Sequence, residues 1–396
     1  IKGYRKILRI VISVVLLATI LIMSGVLVKS WALVLVGRLF NGPIAVWLPL
    51  HIALVHAKTE GKSATTAVSA IVATMTFGTV AGTASAGFIY GAFESLAPCV
   101  VIIPVLILIA ALLVFFVMPE FVSGAASHID VKGFVLLGAI MFVTIIGFVE
   151  IVEGGMDTVI GVVALVLAAA IAVYWYRYER RTEYPAIDVK VLFSRQLGPL
   201  YLGAICYGAV FYGFLSPLAT FLDAKPEQLG YGYGFEPSAI SIAQTAILVM
   251  TVLAALLLPL IINRIGAKKG LVAGFVLGAV GFLQWALFAT TIAKLAFFVV
   301  LVGIGLGVVS AAIPVIIPLR APKGTHGIAT GLYNSAQTLG GALGSGLFLS
   351  LLKVGATPTG DITAVGYETV WFTCGGFLLI GLVLVLTLLA RDQPRA

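Results

Sequence analysis

Twelve long apolar runs set the first constraint on this chain. They span residues 7–28, 31–55, 65–91, 96–118, 132–152, 158–176, 197–221, 237–262, 270–291, 295–318, 327–352 and 368–390. A stretch of about 18 or more apolar residues with few charges is long enough to cross the hydrocarbon core of a bilayer as a helix. Composition agrees: of 396 residues, 61% are hydrophobic and 10% charged, against roughly 25% charged in a soluble domain. The expected fold is an all-α polytopic membrane protein with twelve transmembrane helices. Lys2, Arg5, Lys6 and Arg9 precede the first run, as they would in a signal peptide. The run is too long for a signal core and no A-x-A cleavage pattern follows, so it reads as a retained helix.

The charges then orient the spans. If odd-numbered runs lead outward, 19 of the 24 Lys and Arg fall in segments on the inner side. Only Lys29, Lys225, Lys294 and Lys353 fall on the outer side, and Arg38 lies inside a span. That asymmetry is the positive-inside pattern. It predicts a multi-pass protein of the cell (inner) membrane with the chain start and C-terminus cytoplasmic. It also accounts for the net charge of +8 with no nucleic-acid partner. The three cysteines, Cys99, Cys206 and Cys374, have neither metal-site nor disulfide-framework spacing.

The chain repeats itself weakly. A shift of 263 residues lays Gly3, Lys6 and Leu8 on Gly266, Lys269 and Leu271; a shift of 265 lays Gly42, Pro49, Ile52 and Lys58 on Gly307, Pro314, Ile317 and Lys323. Internal repeats are common in transporters. Two spans, 197–221 and 237–262, precede the later basic turn, and none precedes the earlier one. The expectation is a fragment or late start of a fourteen-helix protein. Residues 1–118 would form four of six helices of an N-terminal bundle and 119–196 an inserted helix pair and surface linker. Residues 197–396 would form a C-terminal six-helix bundle.

Several short patterns resemble one family. Gly3-Tyr4-Arg5-Lys6 is similar to the tail of a cytoplasmic motif of the major facilitator superfamily, and Asn263-Arg264-Ile265-Gly266-Ala267-Lys268-Lys269 to its second-half version. Gly37-Arg38-Leu39-Phe40-Asn41-Gly42 resembles the arginine motif of the fourth helix. Asp130-Val131-Lys132-Gly133 and Tyr184-Pro185-Ala186-Ile187-Asp188 resemble signatures of the fourteen-helix drug:proton antiporter branch. The fifth-helix antiporter motif is altered: Thr83 stands where that family has Pro, and Ala86 where it has Gly. The resemblance implies two helical bundles, alternating access, and exchange of a small molecule for protons.

Individual residues then suggest roles. Arg38 lies about 10–11 Å into its span at 1.5 Å per residue, where a charge costs roughly 2.5–3.5 kcal/mol and usually faces a partner or cavity. As one continuous helix, the run would put Arg38, Gly42, Ala45 and Pro49 on a single face. Arg38 either exchanges partners during transport or is a static, snorkelling cation. Arg38 and Asn41 with Glu150, deepest of the acids Glu150, Glu153 and Asp157, are the coupling candidates. Gly78 and Gly82, with Gly42, Pro49, Gly307 and Pro314, are packing or gating positions. Tyr207, Tyr212, Gln244, Asn334 and Gln337 either line a cavity or join helices by hydrogen bonds.

Enzymatic chemistry finds no support. Gly61-Lys62-Ser63 lacks the rest of a nucleotide loop, with His56 where its first Gly would stand, and His51, His56, His128 and His326 form no ligand pair. No cofactor, metal or nucleotide is expected. The partners are the lipid bilayer, a small-molecule substrate and protons. The reading is a secondary active transporter exporting amphipathic or cationic small molecules in a multidrug manner. The alternatives are a facilitator or dedicated exporter of one metabolite, and a non-transporting remnant or scaffold.

Overall fold

The computed structural model of the chain describes residues 4–47, 51, 55, 61–118, 130–153, 157–183, 185, 187, 189–192, 194, 196–288, 291–321, 326–357 and 362–389. Among these residues every regular element is helical. Among the described residues, nine helical segments are long and apolar enough to cross a membrane. The protein is therefore an all-helical, polytopic membrane protein. The runs at 65–91 and 327–352 also lie within helices, Gly61–Phe93 and His326–Leu351.

The run at 31–55 departs from expectation. Its α-helix ends at Phe40, and a 3-10 turn, Gly42–Val46, follows. The cause is Pro43, which has no N–H to offer the carbonyl four residues back and disfavours α geometry at Gly42. A 3-10 turn has three residues per turn, so a single face at α-helical spacing does not extend from Arg38 through Gly42 and Ala45.

Two compact units divide the chain: residues 1–128 with 236–242, and residues 129–235 with 243–396. In the first unit, α1 (Tyr4–Leu27) turns back on α2 (Trp31–Phe40). Lys29, at φ 56°, makes the left-handed turn between them. The two helices approach closely because each presents a glycine. A Cβ on Gly25 would sit 2.8 Å from Val34, and one on Gly37 would sit 2.8 Å from the Ala18 carbonyl. Helix α3 (Gly61–Phe93) packs on α4 (Leu96–Leu112), and α4 on α1. Leu8, Ile12, Ala111 and Val114 form the α1–α4 core.

The second unit begins with the hairpin of α5 (Val131–Glu153) and α6 (Asp157–Glu179), closed where Gly147 meets Gly161. Then follow α7 (Gly198–Gly213), α8 (Leu215–Asp223), α9 (Pro237–Ile265), α10 (Ala267–Phe288), α11 (Ile292–Arg320), α12 (His326–Leu351) and α13 (Ala364–Leu389). Pro217 breaks the span between α7 and α8, since it cannot donate to Gly213. Helix α10 packs on α11 and α13, and α12 on α13. The same neighbour relations link α1 to α2 and α4, and α3 to α4, at offsets between 261 and 268 residues.

The core of the second unit is aromatic: Tyr201, Tyr207, Phe214, Phe275, Phe282, Trp285, Phe298, Phe348 and Trp371 are fully buried. Large apolar side chains on the outer surfaces, such as Phe142 and Leu256 at 65% and 67% exposure, suit contact with lipid. The loop Gly-Tyr-Gly-Tyr-Gly-Phe (230–235) closes one end of this unit. Gly230, Gly232 and Gly234 all take left-handed geometry at φ 74°, 90° and 63°, which glycine alone adopts freely. The Tyr233 hydroxyl donates to the Thr291 carbonyl at 3.0 Å. Burial pushes its phenol up to about 12.

Candidate functional site

In the first unit the site residues lie where α2 ends. Gly37 is buried against α1. Arg38, one residue further round the helix, is exposed and makes no hydrogen bond or ion pair among the described residues. Its carbonyl accepts the Asn41 N–H at 3.2 Å, and the Asn41 Oδ1 is buried with no partner among the described residues. The broken helix thus sets a cation and an amide oxygen at neighbouring turns, neither with a partner among the described residues. Gly3 and Pro49 lie outside the described residues, as do His56, Lys58, His128, Tyr184, Ala186 and Asp188.

The glycine positions behave unequally. A Cβ on Gly42, Gly78 or Gly82 would meet nothing within 4 Å among the described residues. The buried glycine of α3 is Gly87. Gly307 in α11 is different, because a Cβ there would collide with the Thr251 carbonyl of α9. Pro314 is half-buried within α11. Helices α7 and α12 approach each other closely. A Cβ on Gly208 would strike the Gln337 carbonyl, one on Gly340 the Ile205 carbonyl, and one on Gly344 the Ala209 carbonyl.

That contact assigns the polar candidates of the second unit. Tyr207 is fully buried, its ring 5.4 Å from that of Phe211, and belongs to the core of this unit. Gln244 donates from Nε2 to the Leu215 carbonyl at 2.7 Å, tying α9 to the start of α8. Tyr212 is 49% exposed; Asn334 and Gln337 are half-buried on α12. Sequence reasoning missed Tyr333, which is buried and donates to the Ser310 carbonyl at 3.4 Å. Its place one residue before Asn334 could have pointed to it.

The basic turns acquire distinct structures. Gly266 sits at φ 84°, ending α9 with its N–H on the Ile262 carbonyl at 2.8 Å; a left-handed glycine is the usual helix stop. Lys268 and Lys269 then open α10, and Arg264 is exposed in the last turn of α9. In the first unit Arg5 and Arg9 both donate to the Phe115 carbonyl, at 2.6 and 2.8 Å. Lys6 is exposed. Glu150 is half-buried near the end of α5.

The Major Facilitator Superfamily family model matches residues 2–345 and, in a second match, 200–396. The chain belongs to the Major Facilitator Superfamily. It is therefore a membrane transporter and not an enzyme. The quinolone resistance protein NorB of Staphylococcus aureus (strain JH9) is 24% identical over 366 residues, covering 89% of this chain and 76% of that protein. NorB of the bovine strain RF122 is 24% identical over 372 residues, covering 91% and 77%. Two solved structures share the fold, each at a TM-score of 0.59. The human organic anion transporter MFSD10 (TETRAN) is 16% identical, with 97% of this chain and 77% of that one covered. An auto-inhibited POT family peptide transporter is 14% identical, with 97% and 82% covered.

Within this Major Facilitator Superfamily protein, Asp130 gives the α5–α6 pair a polar anchor. Its Oδ1 accepts the Gly133 N–H and the Tyr178 hydroxyl, both at 2.9 Å. The first is helix N-capping; the second pins the start of α5 to the end of α6. Lys132 donates to the Tyr174 hydroxyl at 3.0 Å and lies 4.7 Å over the Tyr178 ring.

Proposed function

We propose that this transporter exports amphipathic or cationic small molecules in exchange for protons, by alternating access. The observation that carries the reading is the likeness to the quinolone resistance protein NorB across 89% of the chain. Arg38 and the buried Asn41 amide oxygen, both without a partner among the described residues and one turn apart, support it. An intramembrane cation without a fixed partner is suited to engage an anionic group in only one state of a cycle. Arg38 and Asn41 are the proposed coupling residues, and Glu150 a proposed proton relay. We place the chain in the fourteen-helix drug:proton antiporter branch, supported by Asp130 at the start of the α5–α6 pair. The proposed parts are residues 1–118 and 197–396 as bundles and 119–196 as inserted pair and linker, with twelve spans and both described ends cytoplasmic.

A second reading, a dedicated exporter or facilitator for one metabolite, is favoured by Thr83 in place of the antiporter motif's Pro. Proteoliposomes separate the two. Under an imposed proton gradient, the antiporter moves several unrelated dyes, stops with an uncoupler, and loses at least about tenfold in rate with Arg38→Ala, the equivalent of 1.4 kcal/mol. Flux indifferent to both changes rejects proton-driven export.

A further inference from the structure

The end of the α5–α6 pair that holds Asp130 gathers positive charge on one face, which the proposed transport cycle does not use. Tyr174, Arg177, Tyr178 and Arg181 recur at i, i+3, i+4 and i+7, the spacing of a single helical face. Arg181 lies just past the end of α6, and its N–H on the Tyr178 carbonyl at 3.0 Å continues the turn. Lys132 of α5 joins this face, its ammonium donating to the Tyr174 hydroxyl and lying over the Tyr178 ring. Arg177 and Arg181 are exposed and have no hydrogen bond or ion pair among the described residues. The nearest acid, Asp130, already accepts the Gly133 N–H and the Tyr178 hydroxyl. Glu179 is turned inward, 2% exposed, and accepts the Ile187 N–H at 3.4 Å, while Glu183 is exposed beyond Arg181. Three cations on this face thus outweigh the one carboxylate bonded to it.

Depth in the bilayer says what meets that charge. The apolar segments Val131–Ile151 and Thr158–Glu179 end here, so these groups stand at headgroup level, where tyrosine is also favoured. Toward the membrane interior the same face of α6 continues as Tyr174, Leu167, Val163 and Ile160, which are 50%, 51%, 60% and 54% exposed. An apolar track that runs up to a cationic cap repeats the order of a phospholipid, acyl chain and then phosphate. Guanidinium forks match phosphate oxygens in pairs, and basic residues beside a membrane attract anionic lipids. We infer that this face binds an anionic phospholipid, with Arg177, Arg181 and Lys132 on its phosphodiester and an acyl chain along the α6 track. A soluble phosphate would meet the cations and leave the track unused. The binding is an equilibrium property of the α5–α6 pair and stands independently of export or proton exchange.

The test titrates the purified full chain in detergent with phosphatidylglycerol or phosphatidylcholine and counts bound lipid by native mass spectrometry. Phosphatidylglycerol is expected to bind at least about tenfold more tightly than phosphatidylcholine. Arg177→Gln with Arg181→Gln removes most of that preference, at roughly fivefold per charge. Arg180→Gln serves as the control, because Arg180 turns away from this face and lies 5.7 Å from the Tyr176 ring; it keeps the preference within about twofold. Glycerol phosphate, the headgroup without its chains, does not displace the lipid at equal concentration. Equal affinity of the two lipids for the wild type overturns the assignment, and this arm needs no variant to fold. A loss in Arg180→Gln as large as in the double variant also overturns it, by showing diffuse surface charge. Displacement by glycerol phosphate overturns it in favour of a soluble-anion site.

Discussion

The guanidinium of Arg9 donates to the Phe115 carbonyl at 2.8 Å while lying 5.0 Å from the centre of the same residue's ring. Arg5 reaches that carbonyl from one turn earlier at 2.6 Å. The geometry arises from a π-helical turn, Leu113–Val117, that extends α4. The last carbonyls of a helix have no partner within it and carry partial negative charge, so cations stabilise them. The basic start of α1 is thus a clamp on the end of α4.

The clamp makes a graded prediction. Replacing both arginines, Arg5→Gln with Arg9→Gln, removes two charge-assisted bonds and destabilises by about 2 kcal/mol. Phe115→Leu removes only the ring contact and costs about 0.5–1 kcal/mol. Thermal unfolding in detergent, followed by circular dichroism and by the reactivity of Cys99 in the same unit, ranks the variants. A Phe115→Leu loss larger than that of the double variant contradicts the clamp.

Helix α12 offers an internal control for close packing. A methyl group on Gly340 strikes the Ile205 carbonyl of α7, whereas one on Gly331 meets nothing within 4 Å among the described residues. Gly340→Ala is expected to destabilise by about 1–3 kcal/mol through overpacking. Gly331→Ala is expected to be neutral or slightly stabilising, because alanine favours the helix. Size-exclusion profiles and melting curves after membrane extraction read both. Equal behaviour of the two shows that α7 and α12 do not meet through these glycines.

Gln244 separates a structural role from a cargo-binding one. Its side chain occupies the Leu215 carbonyl, so Gln244→Leu should cost roughly 0.6 kcal/mol, the average for an interhelical bond in a membrane. The relative rates for different substrates should stay unchanged. A selective change in KM for one substrate, without loss of melting temperature, assigns Gln244 to the cargo instead.

Much of the architecture was legible from the sequence because a bilayer reads a chain almost in one dimension. Run length located nine of the twelve expected spans among the described residues, since a long apolar stretch is stable in lipid as a helix. The motifs around Gly266 and Asp130 were also visible in the sequence, but that Gly266 stops a helix and Asp130 caps one came from the structure. Pro43 was equally local, yet the apolar character on both sides of it concealed the break that ends α2 at Phe40.

The candidate site was harder to read. Gly78 and Gly340 look alike in sequence, one inside a G-x-x-x-G step and the other inside a glycine-rich stripe. Only Gly340 has a backbone against it, and that backbone belongs to Ile205, 135 residues earlier. Tyr207 and Tyr212 are five residues apart on one helix, yet one is fully buried and the other 49% exposed. The sequence by itself determined that this chain crosses a membrane repeatedly and where most of its long apolar helices lie. Tertiary structure alone decided which glycines touch, which polar groups are spent on holding helices together, and that Lys132 lies against Tyr174 and Tyr178. Hydrophobicity acts residue by residue against the solvent, whereas contact requires a partner whose position only the folded chain fixes.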